Sequence, residues 1–279
     1  MDYQLQYNYC AIAIYFIVLV FFAIKRKTKE ISNTIFMAIL LTSMLGCTVN
    51  ILSAKGNSDE GSIPHNILVS LDYLYFILLE ISLFLFAIYS VMLTRNSFKV
   101  LSKKIKAILI VPMLIVSAMF ISNPYTGCIF YYKDEEYIRG DWQIILYILG
   151  VIYAVFGIIY VIKESESTTK EMKIALVLFV FVGIIMALVQ FVFSEYQLMH
   201  FGMSLCGMIF LISVQRPEEY MNIELKSYNK TAFDRMFNLN VKSEKDMNVL
   251  ILNFCDINYV MQTIGVENEK IILRKLLTI

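Results

Sequence analysis

The chain has 279 residues, 58% of them hydrophobic and only 17% charged, with a formal net charge of +1 and a mean hydropathy of +0.66. That balance excludes an ordinary water-soluble domain. The net charge says nothing about nucleic acid, but the basic residues sit in short clusters rather than on one face, so no nucleic-acid partner is expected.

A hydrocarbon core of ~30 Å takes about 20 apolar residues of helix. Seven stretches qualify in chain order: Tyr7–Ile24, Asn33–Leu52, Ile67–Leu93, Ile105–Ser122, Trp142–Ile162, Ile174–Phe193 and Leu198–Val214. The last is the shortest and is interrupted by His200 and Ser204. The first is followed by Lys25-Arg26-Lys27 rather than a small-residue cleavage site, so it reads as a retained span and not a signal peptide. Pro112 inside the fourth span predicts a kink of the kind lipid-embedded helices tolerate. Residues 1–214 thus read as an all-α, seven-helix membrane domain, and residues 215–279 as a short α/β cytosolic piece.

Basic residues set the orientation. Lys25, Arg26, Lys27 and Lys29 follow the first span, Arg95, Lys99, Lys103, Lys104 and Lys106 the third, and Lys163, Lys170 and Lys173 the fifth. The alternate loops hold Lys55, Lys133 and Arg139 beside Asp59, Glu60, Asp134, Glu135 and Glu136. The expected N-terminus is therefore outside and the C-terminus in the cytosol. The longest outer loop, Ser122–Asp141, contains Tyr125, Tyr131, Tyr132 and Tyr137, which read either as interfacial anchors or as a lid over an outer pocket.

Ionisable and amide groups inside spans mark function by default. Glu80 lies near the middle of the third span, and Asp72, two turns nearer the outside, sits about 80° around that helix from it. Gln190 in the sixth span and His200 in the seventh are placed to face the same interior. These four are the ligand-sensing candidates. Glu80 equally reads as a hydrogen-bonded structural carboxyl, His200 as an interfacial residue, and Asn50 as a cap on the outer end of the second span. The cysteines (Cys10, Cys47, Cys128, Cys206, Cys255) lack C-x-x-C spacing, which argues against zinc and against a disulfide framework. No P-loop, G-x-S-x-G or H-E-x-x-H motif occurs, and the only histidines are His65 and His200. No metal or cofactor is expected.

The tail carries a second kind of signal. Pro217 and the glutamates after it are set to open a helix, Met247–Phe254 suits a buried strand, and Ile271, Ile272, Leu273 and Leu276 recur at helical spacing after Gly265. Asn222, Tyr228, Asn229, Lys230, Ala232 and Phe233 fall in register with the opening motif D-x-L-T-G-L-x-N-R-R-x-F of the GGDEF (diguanylate cyclase) family. Asn253 to Leu273 keeps the spacing and the apolar positions of that family's next signature, D-I-D-x-F-K-x-I-N-D-x-x-G-x-x-x-G-D-x-x-L. The tail thus resembles the start of a GGDEF domain. Its polar positions depart from the family: Asn253 stands for the Mg²⁺-binding aspartate, Met261 for the guanine-contacting asparagine and Lys270 for the guanine-contacting aspartate. The glycine-rich turn that names the family is missing before Ile279.

The resemblance implies a bacterial plasma-membrane sensor of the cyclic di-GMP type, with an incomplete output domain that is not an active enzyme. Its implied partners are the bilayer, a small-molecule signal and either a second copy or a separate cytosolic GGDEF or phosphodiesterase (EAL) protein. The junction Arg216–Tyr228 would relay helix displacement. The alternative is a small transporter or channel with an incidental tail, for which inverted repeats or glycine- and proline-broken helices at the midplane would be the sign.

Overall fold

The computed structural model describes residues 3–25, 31–58, 63–94, 101–134, 136–163, 170–193, 195–213, 221–222, 227–242 and 246–251. The chain divides into two units, Met1–Gln215 and Arg216–Ile279. In the first, seven apolar helices form: α1 (Gln6–Lys25), α2 (Ile31–Ser58), α3 (His65–Thr94), α4 (Lys103–Thr126), α5 (Gln143–Lys163), α6 (Lys170–Val192) and α7 (Met199–Ser213). A hairpin of β1 (Phe130–Lys133) and β2 (Glu136–Arg139) separates α4 from α5.

The first six helices are long and apolar enough to cross a membrane. The described part of α7 is shorter: its 15 residues rise about 22 Å, against a hydrocarbon core of ~30 Å. Side chains on the outer faces, among them Ile17, Leu114, Phe181 and Leu188, are more than half exposed. Such surfaces are costly in water and neutral in lipid.

Helix α3 is the centre of the bundle, with 72% of its most apolar stretch buried. It meets α5 along small residues. A methyl added at Gly150 would lie 2.8 Å from Leu83, and one at Gly157 would lie 2.7 Å from the Ser90 hydroxyl. With Ala154 between them, these glycines let the two backbones approach closely, which is how helices associate where no hydrophobic drive operates. Aromatic rings fill the end remote from the hairpin. Phe86 stacks on Phe179 at 3.9 Å, and Phe210 of α7 sets its edge against Phe86, Phe179 and Tyr89. Helix α4 continues through Pro112 without interruption.

Elsewhere the helices outrun the sequence expectation. Helix α2 extends to Ser58, so Asn50 is an interior residue and no cap; its amide donates to Gln197 Oε1 at 3.1 Å. His200, expected at an interface, is 1% exposed. The four described cysteines are free.

The hairpin is tied down by one side chain. Helix α4 ends at Gly127, whose φ of 61° is the left-handed conformation that closes helices. Four residues earlier, buried Asn123 accepts from the Ile129 and Phe130 amides at 2.7 and 3.3 Å. Its own amide donates to the Tyr73 hydroxyl at 2.8 Å and the Phe130 carbonyl at 3.1 Å. Pairing then runs from Phe130 opposite Arg139 to Lys133 opposite Glu136. At the same end, Gln4 bridges to Tyr196 in the α6–α7 connection, with its N–H on the Glu195 carbonyl at 2.8 Å.

The second unit departs from expectation. In place of a helix through the junction, the described residues form a short antiparallel pair, β3 (Met221–Asn222) against β4 (Ser227–Tyr228). Pro217 lies outside the described residues. Asn229 then caps α8 (Lys230–Lys242), its Oδ1 accepting the Ala232 N–H at 3.0 Å. The strand expected at Met247–Phe254 is absent over its described part: residues 246–251 have no regular structure, and Leu250 and Ile251 are 84% and 85% exposed. A strand holds only where neighbouring backbone answers its hydrogen bonds, and none is described beside these residues.

Asn123→Ala should therefore leave two buried backbone donors unanswered and destabilise the protein by about 1–3 kcal/mol. Unfolding in detergent reads the loss, and amide exchange should accelerate over residues 129–139 first. Unchanged exchange there would show that the hairpin holds without Asn123.

Candidate functional site

A cavity of about 340 Å³ lies between the hairpin and the helix ends beneath it. Helical spacing explains its polar lining. Asn50, Ser53 and Asn57 recur on one face of α2, Asp72 and Tyr75 are one turn apart on α3, and Gln143 and Tyr147 one turn apart on α5. Gln190 of α6, Gln197 of the following connection and Tyr3 of the N-terminal segment complete the walls, and β2 supplies Tyr137 and Arg139.

Asp72 is the anchor. It is 3% exposed and accepts hydrogen bonds from the Ser53 and Tyr132 hydroxyls. The Tyr132 hydroxyl also lies 3.0 Å from Asn57 Oδ1, so one phenol ties the hairpin to both α2 and α3. Around the rim, the Gln143 amide donates to the Tyr137 hydroxyl at 3.2 Å. Arg139 is the sole cation among the described lining residues, and its Nη1 donates to the Phe191 carbonyl at 3.4 Å.

The field across the cavity is legible in its phenols. Burial pushes Tyr3 above the ordinary tyrosine value; the Asp72 charge adds to that shift and the Arg139 charge offsets it. One ring thus senses both ends of a charge pair. Burial, followed by the Asp72 charge, also pushes Tyr137 well above that value. For Tyr132, burial comes first, and its hydrogen bond to Asp72 raises it further.

Of the four residues singled out by sequence, Asp72 and Gln190 meet at this cavity. The Gln190 carbonyl accepts the Met199 N–H at 2.8 Å and so satisfies an orphan donor at the start of α7. Glu80 lies apart from them. It is 1% exposed, neither carboxyl oxygen has a hydrogen-bond partner among the described residues, and it faces a second, apolar cavity between α3, α5, α6 and α7. His200 belongs to neither cavity lining. Its ring sits edge-on to Tyr75 at 5.7 Å, within 3.1 Å of where a Cβ on Gly46 would lie, and neither ring nitrogen has a partner. The tail positions Asn253, Met261 and Lys270 lie outside the described residues.

Sequence reasoning did not single out Ser53, Asn57, Arg139, Gln143 or Gln197 as site residues. A signal was there: Asn50, Ser53 and Asn57 form a polar stripe at helical spacing on α2. The outer tyrosines divide by role. Tyr125 is 92% and Tyr131 44% exposed, while Tyr132 and Tyr137 turn inward onto the cavity side.

An alkaline titration tests this wiring. Below the ordinary tyrosine value of 10.0 the Tyr132 phenol is neutral in both folded and unfolded chains, and its stabilisation is complete. Above it the unfolded chain ionises first, so stability falls as pH rises toward the higher folded value. Tyr132→Phe should be less stable than wild type at neutral pH and show a shallower alkaline fall. Parallel pH profiles for the two proteins would contradict the Asp72 contact.

No family model, curated protein or solved structure matches the chain.

Proposed function

We propose that this is an integral membrane sensor whose outer cavity binds a small zwitterion of the free amino acid class. The carrying observation is the cavity itself: a buried carboxylate, Asp72, and a guanidinium, Arg139, flank one space lined by amides and phenols. Its 340 Å³ falls in the range of small-molecule sites, about 300–1,000 Å³. In this reading Arg139 takes a carboxylate through its planar fork. Asp72 and the faces of Tyr75 and Tyr147 receive an ammonium, and the amides of Asn50, Gln143 and Gln197 select the remainder.

The same reading places the protein in a bacterial plasma membrane with seven spans. The N-terminus and hairpin lie outside and the C-terminus in the cytosol, as the loop lysines and arginines favour. The tail is then a GGDEF-like output element, divergent at its polar positions, in cyclic di-GMP signalling. Its support is the motif register together with Asn229, which stands in the motif's asparagine position and caps α8. A transporter is less well supported, because Phe76 and Tyr147 floor the polar cavity and the space beyond them is apolar.

The binding test uses the full chain in lipid nanodiscs and the common free amino acids as probes. At least one should raise the unfolding midpoint saturably, its carboxamide analogue should not, and Arg139→Gln should weaken it tenfold or more. If no amino acid shifts the midpoint, the zwitterion reading is wrong.

A second test concerns the tail. Asn253 offers a neutral amide where a hard cation wants an anionic oxygen, and Lys270 offers a donor where an acceptor is needed. Purified protein given GTP and Mg²⁺ should form no cyclic di-GMP above a no-protein control. Product that vanished in Asn253→Ala would show that the register is misplaced.

A further inference from the structure

We infer that the apolar cavity around Glu80 is a second binding site, for a lipophilic primary amine that enters from the bilayer. The site is separate from the outer cavity, and its failure would leave the zwitterion reading untouched.

Three observations converge on it. The first is electrostatic. Glu80 sits mid-helix on α3, 1% exposed, and neither Oε1 nor Oε2 has a partner. Buried carboxyls are held by donors, because leaving one unanswered costs stability. Ser53 and Tyr132 do this for Asp72 in the same helix, whereas no described residue does it for Glu80, which leaves the carboxyl open to a donor from a ligand.

The second observation is space. The cavity that Glu80 faces measures about 50 Å³. At ~10–15 Å³ per water-sized probe, that is room for several heavy atoms. Leu83, Phe179, Val180, Met199 and Met203 surround it, a lining too apolar to hold water well. One charge set in apolar walls matches a ligand with one cationic nitrogen on a hydrocarbon body.

The third observation is access. Gly183 of α6 lines this cavity, and a Cβ built there meets nothing within 4 Å. Val151 of α5 and Ile184 and Ala187 of α6 also line it and are partly exposed, so the cavity reaches the surface at the α5–α6 seam. Mid-bundle, that surface faces lipid. An alkyl chain could leave through the seam while its ammonium stayed against Glu80. The phenol of Tyr147 lines both cavities and closes the route toward the outer site.

The experiment uses the full chain in nanodiscs, with decylamine as probe and decanol as its uncharged match. Decylamine should raise the unfolding midpoint saturably, and decanol should not. Glu80→Gln keeps the shape and removes the charge; it should weaken decylamine tenfold or more. Gly183→Leu should crowd the space into which a Cβ at that position opens and abolish the effect, while the variant's own midpoint shows that it folds. Equal response to decanol would reduce the cavity to a lipid-filled void. An unchanged decylamine response in either variant would place the amine elsewhere, and both results overturn the site.

Discussion

A lipid-embedded bundle must answer its buried polar groups from within, because no water is at hand to do so. That constraint shapes the hairpin end of this protein. The amides that follow α4 are answered by Asn123, the Asp72 carboxylate by Ser53 and Tyr132, and the first amide of α7 by Gln190. Each of these contacts joins parts of the chain that are distant in sequence or sit on different elements. Together they hold a hairpin over the helix ends and leave a polar space beneath it. The cavity is a by-product of satisfying these groups, and its lining is rich in amides and hydroxyls for that reason.

The contrast with Glu80 follows from the same constraint. Both carboxyls lie on α3, and 80 minus 72 is eight residues, or roughly 12 Å along the axis at 1.5 Å per residue. One lies beside a stripe of polar residues on α2 and under a hairpin tyrosine. The other lies among leucine, methionine and phenylalanine side chains that have no hydrogen to offer. Two groups that look alike in the sequence thus meet opposite surroundings. Tyr147 and Phe76 form the boundary between them.

How much of this was legible beforehand follows from what each signal depends on. Span positions rest on local composition, and six of the seven expected stretches became membrane-length helices. The exception, α7, is described only over Met199–Ser213, and it runs unbroken through His200 and Ser204, the two residues that weakened the expected seventh span. Asp72 and Gln190 stood out because charge and amide are rare in apolar helices, and they do meet. The role of Arg139 was hidden, because it lies in a loop whose fold depends on Asn123, and nothing in the sequence ties residue 123 to residues 129 and 130. His200 was misread because burial depends on the partners α7 finds in Gly46 and Tyr75. In the tail, Asn229 was legible as a motif residue and serves as a helix cap, whereas strand Met247–Phe254 was read from local propensity alone.

In the proposed function the polar cavity opens to the outside of the cell, and thiol accessibility measures that directly. Gln197→Cys, placed in a chain whose five native cysteines are replaced, puts one thiol in the cavity wall. A membrane-impermeant maleimide should label it on intact spheroplasts and fail to label it in inverted vesicles. Labelling in inverted vesicles alone would put the cavity on the cytosolic side and contradict the reading of this protein as a receptor for an external signal.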